Sequence, residues 1–571
     1  MPFKLPFLHH NCTDPMARKM GRFHLLSTLA TLLLTSLSTC AGDIPSIGLK
    51  THEDGFHCEV EVDASSVMAT IDSTFLCAAL DWYPQDRCSY GSCSWDHASI
   101  LNLNLSHPLL EKSLQALSPL RLRLGGTVQD QIVYDVGLSP EQPCLPLVKD
   151  DSFISDYRGG CLSMERWVAL NNLFAKTGVL VAFGLNALFN RSRLDSGEWG
   201  PWDSSNAHDF IKYTVEQGIA VEAWELGNEL TLNRVVTTIP AKQYGQDMRQ
   251  LRSVVDSLYK DTMQRPLVVA PDGTGNVAGN EIGFYITLLN ESGPGVVDVV
   301  TRHIYNLGPG NSEDLVERIL NASVLDNDLD NFRTVQRIIQ TTAPWAVAWI
   351  GEAGGAYNSG KNLVSNAFVN SFWYLDQLAM SATFNTKAYC RQTLIGGNYG
   401  LLNSTTFRPN PDLYSAILWK RLMGTVVLAT TVEAKYSQVR AYTHCQSGTT
   451  SGGVTMLLIN LSNSTVSVNV NLKSPISTES RKRTKLIPHK SKEGRASTRY
   501  EYHLSASNGD LHSQTSLLNG VPLELTPSGD LPSVDIPLVK ENTAAVSVKA
   551  LSIVFVVLPD AEVPVCMVQP R

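Results

Sequence analysis

Two acidic residues close apolar runs in this 571-residue chain: Glu229 in "VEAWELGNE" and Glu352 in "WAVAWIGEAGG". Two carboxyls facing each other are the equipment of glycoside hydrolysis. One protonates the leaving oxygen while the other attacks the sugar or activates water. The two roles need opposite protonation at rest. One carboxyl must keep its proton while the other is ionised, and the charge on the second favours the proton on the first through like-charge repulsion. Once the ionised carboxyl is glycosylated, that charge is gone and the other can ionise and act as a base. An acidic pH optimum is therefore expected.

Neighbouring residues add to these motifs. Asn228 puts a hydrogen-bonding side chain beside Glu229. Glu225 lies four positions before Glu229 and shares its face if the strand is regular; it reads as a structural acid set against a basic partner. Gly354 and Gly355 leave room after Glu352 for a ligand or an unusual turn. In "GEWGPWDSSNA", Trp202 is a candidate wall of an outer subsite, although Asp203 or Ser204 capping the next helix explains much of the stretch.

The elements that must position the acids are legible as alternation. Eight short apolar runs, from "STFLCAAL" to "AYCRQTLIGG", are mostly followed by helix-like stretches such as "SSNAHDFIKYTVEQG". Strands alternating with helical patterns imply a parallel sheet, and eight such units suit an α/β fold of the (β/α)8 barrel type. The barrel is placed over 67–424, with Glu229 ending its fourth strand and Glu352 its seventh. Barrel chemistry sits at the C-terminal strand ends, so the two motifs are expected to share one mouth. After the barrel, "STVSVNVNL" alternates Val466, Val468, Val470 and Leu472 with period two. Residues 425–571 are read as a C-terminal all-β sandwich, and the segment 43–66, with "FHCEVEVD", as a strand that joins it. "GGTVQD" lacks the spacing of a dinucleotide-binding loop.

Composition narrows the class. The formal net charge is −8 and the pI is near 5.9, which argues against a nucleic-acid partner. Arg18, Lys19 and Arg22 precede the apolar run Leu25 to Leu37, and small residues follow it. This is the order of a secretory signal, so 1–42 is read as an N-terminal extension with a signal peptide, and Met16 or Met20 as candidate starts. No later run is long enough to span a membrane. Sequons at Asn104, Asn190, Asn290, Asn321, Asn403, Asn460 and Asn463 agree with an exported glycoprotein. Wall and vacuole are both open as destinations. The cysteines after the signal are odd in number, so at least one thiol is expected to remain. Cys88 and Cys93 lack a second ligand pair at zinc spacing, and no metal or cofactor is expected.

The motifs together resemble the heparanase-like proteins of glycoside hydrolase family 79, in particular the plant branch with its β-glucuronidases. The likeness is carried by "WELGNE", "WIGEAGG", "TID", "RLGGTVQDQIVYDVG", "VAFGLNAL", "RHIY" and "YCRQTLIGGNYGLL", and covers nearly the whole mature chain. It implies that Glu229 is the proton donor, Glu352 the nucleophile, and Asn228 a partner of the sugar 2-hydroxyl. His303 and Tyr305 match the family's pair at the sixth strand, with Tyr305 supporting the nucleophile. Asp72 and Thr127 match positions lining the sugar pocket. Gly397 and Tyr399 match residues that receive the glucuronate carboxylate, with Gln392 as a neighbour.

Animal members carry an excisable linker after the second barrel strand. Here the interval is short, and Cys144 and Cys161 are placed to close it as a loop. The substrate expected is a carbohydrate or glucuronide: β-linked glucuronic acid released from cell-wall glycans such as arabinogalactan, or from small-molecule glucuronides. The alternatives are a heparanase-type endo-β-glucuronidase on an anionic polysaccharide, a barrel acting on glucosides or xylosides, and a wall carbohydrate-binding protein without turnover. The basic run Arg481 to Arg495 is read as a solvated loop rather than a polysaccharide dock.

Overall fold

The computed structural model describes residues 56–138, 144–153, 156–232, 237–433, 438–473, 498–542 and 544–567. The signal segment and the basic run 481–495 lie outside them. Eight parallel strands close into a barrel in the order Leu76–Leu80, Leu120–Leu124, Val179–Leu185, Ala223–Leu226, Leu267–Gly273, Val299–Ile304, Val347–Ala353 and Ala388–Arg391. They are the eight runs read from the sequence. Strands buried on both faces need no polar alternation, which is why these runs are so apolar.

The second strand, "LRLRL", is the instructive exception. Leu120, Leu122 and Leu124 join the core under the helices, while Arg121 and Arg123 are buried with carboxylate partners inside the barrel. Small and medium residues fill the lumen between these charges: Ala182, Ala223, Val269, Val299 and Ala388, with Trp349. The arginine of Arg121 stacks over Trp349 and pairs with Glu222 at 2.6 Å. Arg123, two residues on and one layer higher, faces the acids of the mouth.

Each strand is followed by a helix; most bury one stripe, whereas Asn370–Thr383 is buried nearly all round. In Leu329–Thr342 the stripe is Phe332, Val335, Ile338 and Ile339, the spacing of one helical face. Met164–Thr177 begins at Ser163, whose hydroxyl accepts from the Arg166 N–H at 3.1 Å, and ends at left-handed Gly178. Asp203 accepts from the Ser205 N–H at the start of Ser205–Glu216. Trp202 is buried, with its indole donating to the Asn186 carbonyl, so it does not line an outer subsite.

Helix Pro411–Leu422 runs directly into strand Met423–Val432 of the β region. Strand Phe56–Asp63 lies between that strand, antiparallel, and Val466–Lys473, parallel. Its alternate residues Cys58, Val60 and Val62 share one apolar core with Val466, Val468 and Val470 from its neighbour and with Met456, Leu458, Val554 and Val556 from other strands of the sheet. Cys58 carries a buried thiol. The β region docks on the barrel through Arg440, 2.8 Å from Asp376 on helix Asn370–Thr383 and 2.7 Å from Asp326.

The other eight cysteines among the described residues form Cys77–Cys390, Cys88–Cys93, Cys144–Cys161 and Cys445–Cys566. The first ties the first barrel strand to the last. No described helix is long and apolar enough to cross a membrane. Among the sequons, Asn460 is fully buried, and its amide donates to the carbonyls of Ser464, Val548 and Lys549. A glycan cannot be carried there. Asn104, Asn190, Asn290, Asn321 and Asn463 are exposed and Asn403 is half-buried.

Candidate active site

Glu229 and Glu352 meet at the C-terminal mouth of the barrel. One carboxylate oxygen of each, with a ring nitrogen of His303, falls within a cluster no more than 4.8 Å across. The fourth strand stops at Leu226, and Gly227 and Glu229 both take left-handed backbone, with φ of 73° and 55°. For a glutamate this conformation is strained. It is fixed by the Asn228 N–H donating to Asp130 at 3.0 Å and the Glu229 N–H donating to the Asp272 carbonyl at 3.1 Å. Glu225 and Glu229 therefore do not continue one regular strand. Glu225 stays in the lumen against Arg123, 2.8 Å away, the structural acid the sequence reading expects.

Beneath the two acids lies a buried charge network. Arg123 donates through Nη1 to Glu352 at 2.9 Å, and through Nη2 to Glu225 and Asn228 at 2.8 Å and to Asp272. Burial opposes charge on Asp272, yet Arg123 and His303 hold its carboxyl far below the usual range. Glu225, buried and close to Asp272, is pushed up instead, only partly relieved by Arg123. His303 places Nδ1 2.7 Å from Glu229 and Nε2 3.4 Å from Asp272. Burial disfavours its charge, but Asp272 and Glu352 outweigh that and raise the imidazole to about 10. His303 is thus an imidazolium at neutral pH.

Tyr305, just past the sixth strand, donates its hydroxyl to Glu352 Oε1. Gly354 makes room for it: a Cβ there would lie 2.7 Å from the Tyr305 ring. Gly355 serves packing too, against Trp373.

The open cavity above the acids has a volume of about 180 Å³. Thr127, Tyr305, Gln392 and Tyr399 line it together with both glutamates. Four matched positions do not. Asn228 and His303 are buried below the acids, where they touch Arg123 and Glu229. Gly397 packs against the Tyr399 ring, and the ring is what reaches the cavity. Asp72 is a clear misplacement. It precedes the first strand, lies 3.8 Å from Arg121, and borders a different, larger crevice with Lys387 and Lys420 at the N-terminal end of the barrel.

The acid at the cavity is Asp81, directly after Leu80 at the end of the first strand. The strand-end rule that points to Glu229 and Glu352 points to Asp81 as well; the "TID" match lies nine residues too early. Burial and the charge of Glu352 raise Asp81 to about 7, against hydrogen bonds from Gln392 and the Trp82 and Tyr83 N–H groups. Gly126 is required beside it, because a Cβ there would lie 2.5 Å from the Asp81 carboxylate. Tyr83, Arg87, Thr274, Tyr357, Asn358 and Ser359 complete the wall and carry no pattern in the linear sequence.

Among the described residues, Glu229, His303 and Glu352 are the cluster with metal-ligand chemistry. Arg123 places a positive charge 2.9 Å from Glu352, which opposes a cation at that carboxylate. The donor set suits proton transfer and charge stabilisation better than a metal.

Comparison with known proteins agrees with this geometry. Residues 57–379 match the model of the glycosyl hydrolase family 79 N-terminal domain. The chain is 47% identical to heparanase-like protein 3 of Arabidopsis thaliana over 89% of its own length and 94% of that protein. It is 37% identical to the baicalin-β-D-glucuronidase of Scutellaria baicalensis, covering 88% and 92% of the two chains. A 4-O-α-L-rhamnosyl-β-D-glucuronidase from Fusarium oxysporum superposes with a TM-score of 0.60, covering 87% of this chain and 99% of the other, and at 14% identity shows the shared fold. The chain belongs to glycosyl hydrolase family 79.

Proposed function

We propose that the protein is a retaining β-glucuronidase in which Glu229 is the proton donor and Glu352 the nucleophile. The observation that carries this reading is the approach of the two carboxylates to within 4.8 Å. Retaining enzymes hold the pair ~5–5.5 Å apart, whereas inverting enzymes leave ~6.5–9.5 Å for a water.

Glu352 attacks the anomeric carbon as Glu229 transfers its proton to the departing glycosidic oxygen. The C–O bond to the leaving group breaks and an ester to Glu352 forms. Glu229, now ionised beside the His303 imidazolium, removes a proton from water, and the resulting attack on the anomeric carbon releases glucuronic acid and returns Glu352. Tyr305 and Arg123 each hold one oxygen of Glu352 and orient its attack. Asp81, Gln392, Thr127 and Tyr399 bind the hydroxyls and carboxylate of the sugar.

The substrates proposed are terminal β-linked glucuronic acid on cell-wall glycans of the arabinogalactan type and small-molecule glucuronides. The relative named for baicalin supports the second. A cavity of about 180 Å³, below the ~300–1,000 Å³ of drug-sized sites, favours a single sugar over a bound chain. Export to the wall or vacuole is part of the proposal, supported by four disulfides, which persist in oxidising compartments.

The test is turnover of an aryl β-glucuronide by the wild type, Glu229→Ala and Glu352→Ala. Both variants should lose activity. Azide should rescue Glu229→Ala with a β-glucuronosyl azide and Glu352→Ala with the α product. Azide products of the opposite assignment would reverse the roles, and full activity in either variant would overturn the mechanism.

A further inference from the structure

An anionic glycone entering this cavity meets Asp81, Glu229 and Glu352. The two cations below are already committed: Arg123 to Glu225, Asp272 and Glu352, and His303 to Glu229 and Asp272. Neither lines the cavity. Among the described wall residues, Arg87 alone carries a full positive charge.

Arg87 stands on the loop that follows the first strand, a few residues past Asp81. Its guanidinium lies 4.8 Å from the centroid of the Tyr83 ring, and Tyr83 is itself bonded to Thr127. Nη1 is 3.0 Å from Asp156 on the neighbouring loop after the second strand. Both ends of this contact are anchored by disulfides, Cys88–Cys93 next to Arg87 and Cys144–Cys161 around Asp156. The Arg87 side chain is 21% exposed and that of Asp156 50%. The pair therefore holds the guanidinium at the rim without neutralising it in a dry site, and Nε and Nη2 remain to meet a ligand. A planar fork of this kind suits a carboxylate.

We propose that Arg87 is the specificity-determining cation of the site, selecting a glycone that bears a carboxylate over its neutral counterpart. The inference rests on the β-glucuronidase reading and adds to it the residue that reads the sugar's charge, beyond Gly397 and Tyr399. A partly exposed guanidinium at the rim of a cavity lined by three acids gives a uronate one charge-assisted contact that a hexose of the same shape does not gain.

The experiment compares kcat/KM for an aryl β-glucuronide and the matching aryl β-glucoside in the wild type, Arg87→Gln and Arg87→Lys, with inhibition by free glucuronate and free glucose read in parallel. Thermal midpoints confirm that the variants are folded. Loss of one charge-assisted contact should lower the glucuronide-to-glucoside ratio by about 10- to 100-fold in Arg87→Gln. Arg87→Lys should keep part of it, and inhibition by glucuronate should weaken while that by glucose does not. A ratio kept within twofold in Arg87→Gln would overturn the inference and leave the function intact. A wild type that prefers the glucoside would overturn the function as well.

Discussion

Arg123 Nη1 lies 2.9 Å from Glu352 Oε2, so the residue proposed as nucleophile is tied to the second barrel strand from the far side of the lumen. The same guanidinium holds Glu225 and Asp272. Replacing it by methionine leaves three buried acids without their cation. Removal of one partner from a buried ion pair costs ~3–5 kcal/mol, and Arg123→Met should lower the urea midpoint accordingly. An unchanged midpoint would show that the network does not stabilise the barrel.

Tyr305→Phe removes the hydroxyl that Glu352 Oε1 accepts and leaves the ring against Gly354. A hydrogen bond to a charged group is worth ~1.5–3 kcal/mol, so kcat should fall by about 10- to 100-fold with little change in thermal midpoint. Steady-state kinetics on an aryl β-glucuronide measure this. A drop confined to KM would place Tyr305 in sugar binding instead.

His303 makes stability depend on pH. Its folded value is raised from 6.5 to about 10, so the folded state binds the proton more tightly than the unfolded one. The contribution is fully present below about pH 6.5 and is lost as pH rises through about 10. The difference in thermal midpoint between wild type and His303→Gln should shrink steadily over that window. A constant difference would mean that the imidazole is neutral throughout.

Asp81 sets a lower window. With a folded value of about 7 against 3.8, its contribution to stability is present below about pH 4 and is lost as pH rises to about 7. Above 7 it adds a negative charge to a cavity proposed to bind an anion. The kcat/KM for a glucuronide should therefore fall as pH rises through about 7. Asp81→Asn should flatten that limb, although its absolute activity will be lower. A wild-type profile flat to pH 9 would contradict the assignment.

Reduction of Cys77–Cys390 should open the seam between the first and last barrel strands. The bond spans 313 residues, and long closed loops gain most from a cross-link in the chain-entropy account, ~2–5 kcal/mol for a native bond. Cys77→Ser with Cys390→Ser should lower the thermal midpoint and speed proteolysis of the terminal barrel segments. Equal resistance in both forms would assign the barrel's closure to packing alone.

The barrel was legible because its strands are buried on both faces and so stand out as unbroken apolar runs. The two glutamates were legible because strand ends at one mouth are where side chains leave the core. The same logic applied to Leu76–Leu80 leads to Asp81. Asp72 rests on a short motif match, which carries no information about where a strand begins. His303 touching Glu229 and Arg123 spanning the lumen depend on closure of the barrel, a relation between distant segments that no local pattern encodes. Asn460 shows the opposite limit: a sequon records a triplet, while burial is decided by strands that arrive from elsewhere.

Strand Phe56–Asp63 sits between Met423–Val432 and Val466–Lys473, so the earliest described segment to be synthesised waits for two of the later ones. Until they emerge from the ribosome its backbone donors and acceptors have no ladder to join, and the growing chain carries an open edge through most of translation. Cutting the gene at the boundary between the barrel and the C-terminal β region would strand this piece on the wrong side: a C-terminal fragment made alone would lack an interior strand of its own sheet, and should aggregate unless the missing peptide is supplied in trans.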